Sequence, residues 1–344
     1  MKKRIIAGPC SAESYEQLHE VARHLKDVPC LTTIRAGVWK PRTRPGCFEG
    51  LGEPALRWMQ EIGRDFGVSF CCEVARPEHV EMCLQYGIHT VWLGARTTTN
   101  PFMVDEICSA ISGNNIEVLV KNPICPDVRL WLGAIERLQH VGITALTAIH
   151  RGFSMYHNNG YRNAPLWEVA LELRREMPDI PILCDPSHIA GRRDLVPILT
   201  ATALQLDYDG LMVEVHPHPA SAWTDAEQQI DFTTLLTIAE TWNINEKQNT
   251  TPLPELGPLR DEIDSIDHGM LRMLARRMEL SHQIADIKRQ KNMTVYQQGR
   301  WTDVVEDRLA LAQKLGLDAK FTKDILERIH AESVRVQLGE LKKQ

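Results

Sequence analysis

Nowhere does this chain hold an apolar run of the roughly 20 residues that a membrane-spanning helix needs, and no signal peptide opens it. A membrane partner is therefore not expected. The nine cysteines are odd in number and form no CxxC pair, which indicates free thiols in a reducing cytoplasm rather than a disulfide framework. An excess of positive charge is missing as well. Lys and Arg number 39 against 45 Asp and Glu, a formal net charge of -6, so nucleic acid is not an expected partner. What is present is a globular composition, 43% hydrophobic and 24% charged, and 344 residues, enough for one large domain and a small one.

The chain is organised around the stretch from Pro181 to Asp225, PILCDPSHIAGRRDLV followed by GLMVEVHPHPASAWTD. Each half is a short apolar run, at 182–184 and 211–213, ending in polar residues and proline, as a buried parallel strand does where it meets a loop. His188 and Glu214 sit at or just past those ends and Asp225 on the next loop. Cys10, in IIAGPCS, stands at the end of the first apolar run of the chain. In a barrel of parallel strands all carboxyl ends open on one face, so these four residues can converge. Thiolate, imidazole and carboxylates together suit one divalent cation of the first transition row. His216 and His218 are rival ligands, or loop histidines that orient the ligands.

Strand and helix alternate along the first two thirds. Strands are predicted at 4–7, 31–36, 69–74, 90–94, 117–120, 144–149, 182–184 and 210–215, separated by amphipathic stretches such as 15–25, 54–66, 77–85 and 130–141. Eight such units in about 240 residues fit an α/β (β/α)8 TIM barrel, with an open doubly wound sheet as the alternative. Charged residues mark the strand ends: Arg35 and Lys40 after the second, Glu73 on the third, Arg96 after the fourth, Lys121 on the fifth and Arg151 after the sixth. A single basic residue there is ordinary solvated surface. Five converging on one face need anions, so the site reads as built for phosphorylated or carboxylated substrates beside a metal.

The runs AGPCSAES, IRAGVWKPRT, CEV, GARTTTN, VKN, HRG, DPSHIAGRRDLV and EVHPHPASAWTD resemble the 3-deoxy-D-arabino-heptulosonate 7-phosphate (DAHP) synthases, over residues 4–242 and in the same order. The resemblance implies condensation of phosphoenolpyruvate with erythrose 4-phosphate, with Cys10, His188, Glu214 and Asp225 as metal ligands. It further implies that Arg35, Lys40, Arg96, Lys121 and Arg151 hold phosphoenolpyruvate with Glu73 nearby, and that Lys40, Pro41, Arg42 and Thr43 line the erythrose phosphate pocket. Lys40 or Lys121 would supply a proton. The alternative is an octulosonate 8-phosphate synthase-like barrel, which similar sequences distinguish by the loop that here reads KPRT.

After Trp242 the pattern changes. The expected domains are a barrel at 1–243, a polar linker at 244–254 and a small all-α domain at 255–344. From Leu256 an apolar stripe through Leu259, Ile263, Ile266, Met270 and Met273 predicts a helix to about residue 291, over 50 Å long at about 1.5 Å per residue and in need of a second subunit to cover it. Arg277 and Lys288 interrupt the apolar seam about three turns apart, a destabilising arrangement unless an anion binds there. Two more helices are predicted at 300–315 and 321–341.

LRDEIDSID, LARRMELSHQIADIK, Arg300 and AESVRVQ resemble the all-helical chorismate mutases over residues 255–341. By that resemblance Arg277, Arg300 and the partner chain's Arg260 bind the two carboxylates of chorismate, Lys288 and Gln337 contact the breaking ether oxygen, and Ser333 adds a contact. No cofactor is implied for this half, and an intertwined homodimer is. Gln297 and Trp301 stand where Asp and Glu are common in the family, and Trp301 is expected to pack on the linker or barrel. Two activities are thus expected on one chain, with a mutase product, prephenate, inhibiting the barrel. A helical domain that only senses chorismate or prephenate is the alternative, and one that only dimerises is disfavoured by the two cations in the seam.

Overall fold

The computed structural model describes residues 3–40, 46–156, 160–245, 256–296 and 298–341. They fall into two compact units, 1–250 and 251–344.

The first unit is a closed barrel of eight parallel strands. These are β1 (Arg4–Gly8), β2 (Leu31–Arg35), β3 (Phe70–Val74), β4 (Thr90–Leu93), β5 (Glu117–Lys121), β6 (Leu146–His150), β7 (Ile182–Cys184) and β8 (Gly210–Glu214). Such strands are covered on both faces, which is why they read as continuous apolar runs instead of alternating ones. In β8 all five residues are buried. β1 closes the barrel against β8 from Arg4↔Gly210 to Gly8↔Glu214. At that seam the backbones approach so closely that a Cβ on residue 210 would lie 2.0 Å from the Arg4 carbonyl oxygen, so Gly210 is required by packing.

Amphipathic helices cover the outside. Tyr15–Leu25 begins where Ser14 Oγ accepts from Gln17 N and buries Leu18, Val21, Ala22 and Leu25. Two differences from the sequence reading bear on the site. β6 starts two residues late, because Leu146 N turns back to Thr144 O at 3.0 Å. The segments after β4 and β7 are not plain loops but single helical turns, Ala95–Thr98 and Pro186–Ala190, and these carry Arg96 and His188. The last barrel helix runs Phe232–Asn245, past the expected linker start at 244; residues 246–254 of that linker lie outside the described residues.

The second unit is three helices, Leu256–Gln290, Gln298–Lys314 and Ala319–Leu341. The long first helix packs on the third, yet of its 35 residues only Ser281 and Ala285 are buried. Its expected apolar stripe is there and stands open: Leu259, Ile263, Ile266, Met270 and Met273 are each more than half exposed. Apolar surface on that scale has no stabilising partner within the unit. Among the described residues no helix is long and apolar enough to cross a membrane.

Candidate active sites in the two units

At the carboxyl end of the barrel the strand termini deliver one donor each. Cys10 Sγ, a Glu214 oxygen and an Asp225 oxygen lie within 4.8 Å of one another. Cys10 follows β1 by two residues, Glu214 ends β8, and Asp225 is held in the left-handed region (φ 49) on the loop beyond. His188 is not inside that trio. Its Nε2 lies 3.7 Å from Glu214, and its Nδ1 lies 2.8 Å from Asp185 Oδ2. With Nδ1 donating to Asp185, the neutral ring offers its Nε2 lone pair on the side of Glu214, the arrangement by which a carboxylate orients a metal-binding histidine. His216 is elsewhere engaged, Nε2 with Glu13 at 3.4 Å and Nδ1 accepting from His218 N at 3.0 Å.

The electrostatics of this cluster fit a cation. Burial, reinforced by Glu214, pushes the Cys10 thiol up to about 12, so without a cation it is protonated and donates to Asp225 Oδ2 at 3.4 Å. Burial would raise Asp225 too, but Arg162, His188 and Lys40 outweigh it and hold the carboxylate below its usual range. Glu214 is likewise held down by His188 and Arg35 against burial. Lys40 Nζ stands 3.1 Å from Cys10 Sγ, one positive charge against three potential anions. A thiolate and two carboxylates with an imidazole at their edge can hold one divalent first-row cation.

Beside the trio opens a cavity of about 360 Å³. Lys40, Glu73, Arg96, Lys121 and Arg151 all line it, with His188 and Asp225 on the same wall. Arg151 shows what the cavity lacks. Burial pushes its guanidinium down to about 10, and neighbouring Arg162 and Arg96 push the same way, so an anion would relieve the cluster. Lys121 is lowered by burial although Asp185 Oδ2 sits 2.9 Å from its Nζ. Glu73 is held by Trp92 Nε1, which donates to Oε2 at 3.2 Å, and lies so close to Gly94 that a Cβ there would be 2.1 Å from Oε1. Arg35 keeps Nε and Nη1 buried without a hydrogen-bond partner. It is 1% exposed, lies off the cavity wall, donates to Glu214 Oε1 at 2.8 Å, and packs over Trp92 with its carbon 5.1 Å from the ring centroid. Its charge braces a metal donor. Pro41, Arg42 and Thr43 lie outside the described residues.

In the helical unit a second cavity, about 750 Å³, gathers Arg277, Lys288, Arg300, Ser333 and Gln337. Arg277 donates to Ser333 Oγ, and Lys288 Nζ to Val295 O at 2.6 Å. Burial, aided by Arg308, lowers Arg277. Arg260 is exposed, seventeen residues upstream on the same helix and so about 25 Å away along its axis. Trp301 lines this cavity, stacked on His330; residues 246–254 of the linker on which it is expected to pack lie outside the described residues. Gln297 lies outside the described residues.

Residues 1–250 match the model of the DAHP synthetase I family. The chain belongs to that family. Residues 259–338 match chorismate mutase type II. Over 228 residues the chain is 34% identical to phospho-2-dehydro-3-deoxyheptonate aldolase of Thermotoga maritima, covering 66% of this chain and 65% of that relative's length. A 2-dehydro-3-deoxyphosphooctonate aldolase of Dechloromonas aromatica is 26% identical over 241 residues, 64% of this chain and 83% of the relative. The crystal structure of the Thermotoga maritima DAHP synthase aligns with a TM-score of 0.64 at 30% identity, covering 71% of this chain and 68% of that one.

For this family member, sequence reasoning passed over several groups at the site. Asp185 is fully buried, caps the turn Pro186–Ala190, and joins Lys121 to His188; its signal was a carboxylate three residues ahead of His188 at a strand-to-helix turn. Asn122 and Asn163 hold Arg151, through Arg151 N at 2.6 Å and Nη1 at 2.8 Å. Gln228 donates to Glu214 Oε2 at 2.6 Å and accepts from Arg162. In the helical unit Arg308 was missed.

Proposed function

We propose that the barrel condenses phosphoenolpyruvate with erythrose 4-phosphate to give DAHP and phosphate, and that the helical unit rearranges chorismate to prephenate. The observation that carries the first half is the cavity where Lys40, Arg96, Lys121 and Arg151 open beside the Cys10, Glu214 and Asp225 trio. Five cations around one cavity, these four and Arg162, match a substrate that carries both a carboxylate and a phosphate, with a second phosphate on its partner. A bound divalent cation, Mn²⁺ first and Fe²⁺, Co²⁺ or Zn²⁺ as further candidates, supplies Lewis acidity toward an aldehyde oxygen. Cys10, Glu214, Asp225 and His188 would hold it.

C3 of phosphoenolpyruvate forms the new bond to the aldehyde carbon, water adds at C2, and the bond from C2 to the phosphate oxygen breaks. Arg96 and Arg151 hold the leaving group's charge. Lys121, lowered by burial, serves as proton donor to the aldehyde oxygen, with Lys40 against Cys10 as the other candidate. Glu73 faces the same space, positioned by Trp92. Pro41, Arg42 and Thr43, with Lys40, are assigned to the aldose phosphate.

In the second cavity Arg277, Arg300 and the partner subunit's Arg260 take the two carboxylates, while Ser333 steadies Arg277 and Lys288 and Gln337 serve the ether oxygen. The reaction is unimolecular and asks only for a folded conformer and charges placed where the transition state develops them. A homodimer through the exposed stripe of the long helix would bring Arg260 to a neighbouring cavity and cover its apolar side chains. Inhibition of the barrel by prephenate follows if that dimer couples the units. The free cysteines support a cytoplasmic enzyme.

An assay with erythrose 4-phosphate and arabinose 5-phosphate in parallel tests the barrel reading. DAHP formation with poor use of arabinose 5-phosphate is expected, and Arg42→Ala should raise the KM for the aldose roughly tenfold while leaving that for phosphoenolpyruvate within about twofold. Equal turnover of both aldoses overturns the reading.

A further inference from the structure

The helical cavity has four cations on its wall, Arg277, Lys288, Arg300 and Arg308, and no carboxylate among the described residues that line it. Two of its polar atoms are buried without a hydrogen-bond partner: His330 Nε2 and Gln337 Oε1. The serines offer nothing in their place. Ser333 Oγ is engaged with Arg277 and with Ile329 O, and Ser281 Oγ with Arg277 O. Trp301 lies flat on the His330 ring, centroids 3.9 Å apart and planes 16° apart. Orphaned buried polar atoms are destabilising, and two bordering one cavity call for a ligand that completes them.

We propose that His330, clamped by Trp301, holds the ring hydroxyl of the substrate bound in the helical unit. The proposal rests on the reading of that unit as a chorismate mutase and names the group that stands in for the carboxylates absent at 297 and 301. Guanidinium and ammonium groups donate only, so none of the four cations can accept from a hydroxyl. His330 can. Burial, with Arg277 and Lys288 nearby, holds its imidazole below the ordinary value, which leaves one donor and one acceptor nitrogen. A hydroxyl both donates and accepts, so it satisfies Nε2 in either tautomer. The contact is also neutral, and it adds no anion beside the two carboxylates that the arginines must hold. Trp301 contributes by fixing the ring plane, which an indole does with few rotatable bonds.

The full-length protein is assayed with chorismate and with the analogue in which hydrogen replaces the ring hydroxyl. His330→Leu should lower kcat/KM for chorismate roughly tenfold and leave the value for the analogue within about twofold. His330→Gln, which keeps a donor and an acceptor, should recover most of the loss, and it keeps the test open if the leucine variant fails to fold. Trp301→Ala should reproduce the same selective loss to a smaller extent. Equal losses on both compounds, or none, overturn the proposal. If the unsubstituted protein binds chorismate without turning it over, the mutase reading falls instead. The contact is then judged by calorimetry on the same variants: a hydroxyl-selective tenfold loss of affinity upholds it, and an unselective loss or an absence of binding overturns it.

Discussion

The barrel and the helical unit solve one problem, holding anions, from opposite starting points. The barrel collects its groups from eight strand ends and pairs its deepest cations internally, Arg35 on Glu214 and Lys121 on Asp185, before any ligand arrives. The helical unit draws on helix faces and leaves its longest apolar stripe open, while both units keep buried polar atoms without a partner, Arg35 Nε and Nη1 in the barrel and His330 Nε2 and Gln337 Oε1 in the helices. A closed sheet can afford buried charge because neighbouring strands supply counter-charges at fixed register. Three helices offer no such enclosure, and the proposed ligand and second subunit would supply the completion.

Metal removal should break the comparison most sharply. Exhaustive chelation is expected to lower DAHP formation by at least roughly 100-fold, with recovery on Mn²⁺, Fe²⁺ or Co²⁺, because the barrel trio is proposed to hold the cation that activates the aldehyde. Chorismate turnover should change by less than about twofold. Full DAHP synthesis after chelation would remove the metal from the barrel reading. In the other direction, Arg277→Ala or Lys288→Ala should reduce chorismate turnover by roughly 10²–10³ while DAHP formation proceeds, since each deletes a charge aimed at the polar transition state. A comparable fall in both activities would mean that the units are not independent sites.

A chain ending at Asn245 sharpens the comparison further. It should form DAHP at close to the full rate, sediment as a smaller species than the intact protein, and no longer respond to prephenate. Retained inhibition would place the effector site in the barrel.

The smallest expected effect concerns acid stability. His150, buried between Tyr208, Phe153 and Trp167, is pushed down to about 4 from an ordinary 6.5 by burial. The unfolded chain therefore binds a proton that the folded barrel refuses between pH 6.5 and 4, and stability is lost as pH falls through that window. The loss approaches about 3 kcal/mol below pH 4. Denaturant midpoints at pH 7 and pH 4.5 should differ less for His150→Gln than for the unsubstituted protein; an equal difference would assign the acid sensitivity elsewhere.

Much of the barrel was legible because parallel strands leave a plain signature, a short apolar run stopped by a polar group. That signature placed Glu73, Arg96, Lys121 and Arg151 on one cavity. It could not show that Arg35 is also paired with a carboxylate of its own chain, Glu214. Asn163 and Arg162 lie in the long segment between β6 and the helix Trp167–Glu176, which has no period to reveal where a side chain turns. Arg308 was hidden for a different reason. In the middle of a polar helix an arginine reads as solvated surface, and only the packing of Gln298–Lys314 shows that it borders the cavity. The pairing of Trp301 with His330 joins residues 29 positions apart on separate helices, beyond the reach of any local pattern.

The close fit of Glu73 against Gly94 has a consequence for how the barrel can change. Alanine at 94 would drive a methyl into the carboxylate and pull it off the Trp92 indole, so the two positions are not free to vary one at a time. Glu73→Asp, a shorter acid, makes the room that Gly94→Ala needs. The double variant should therefore be less impaired than Gly94→Ala alone, an epistatic pair in which each residue sets the permissible size of the other.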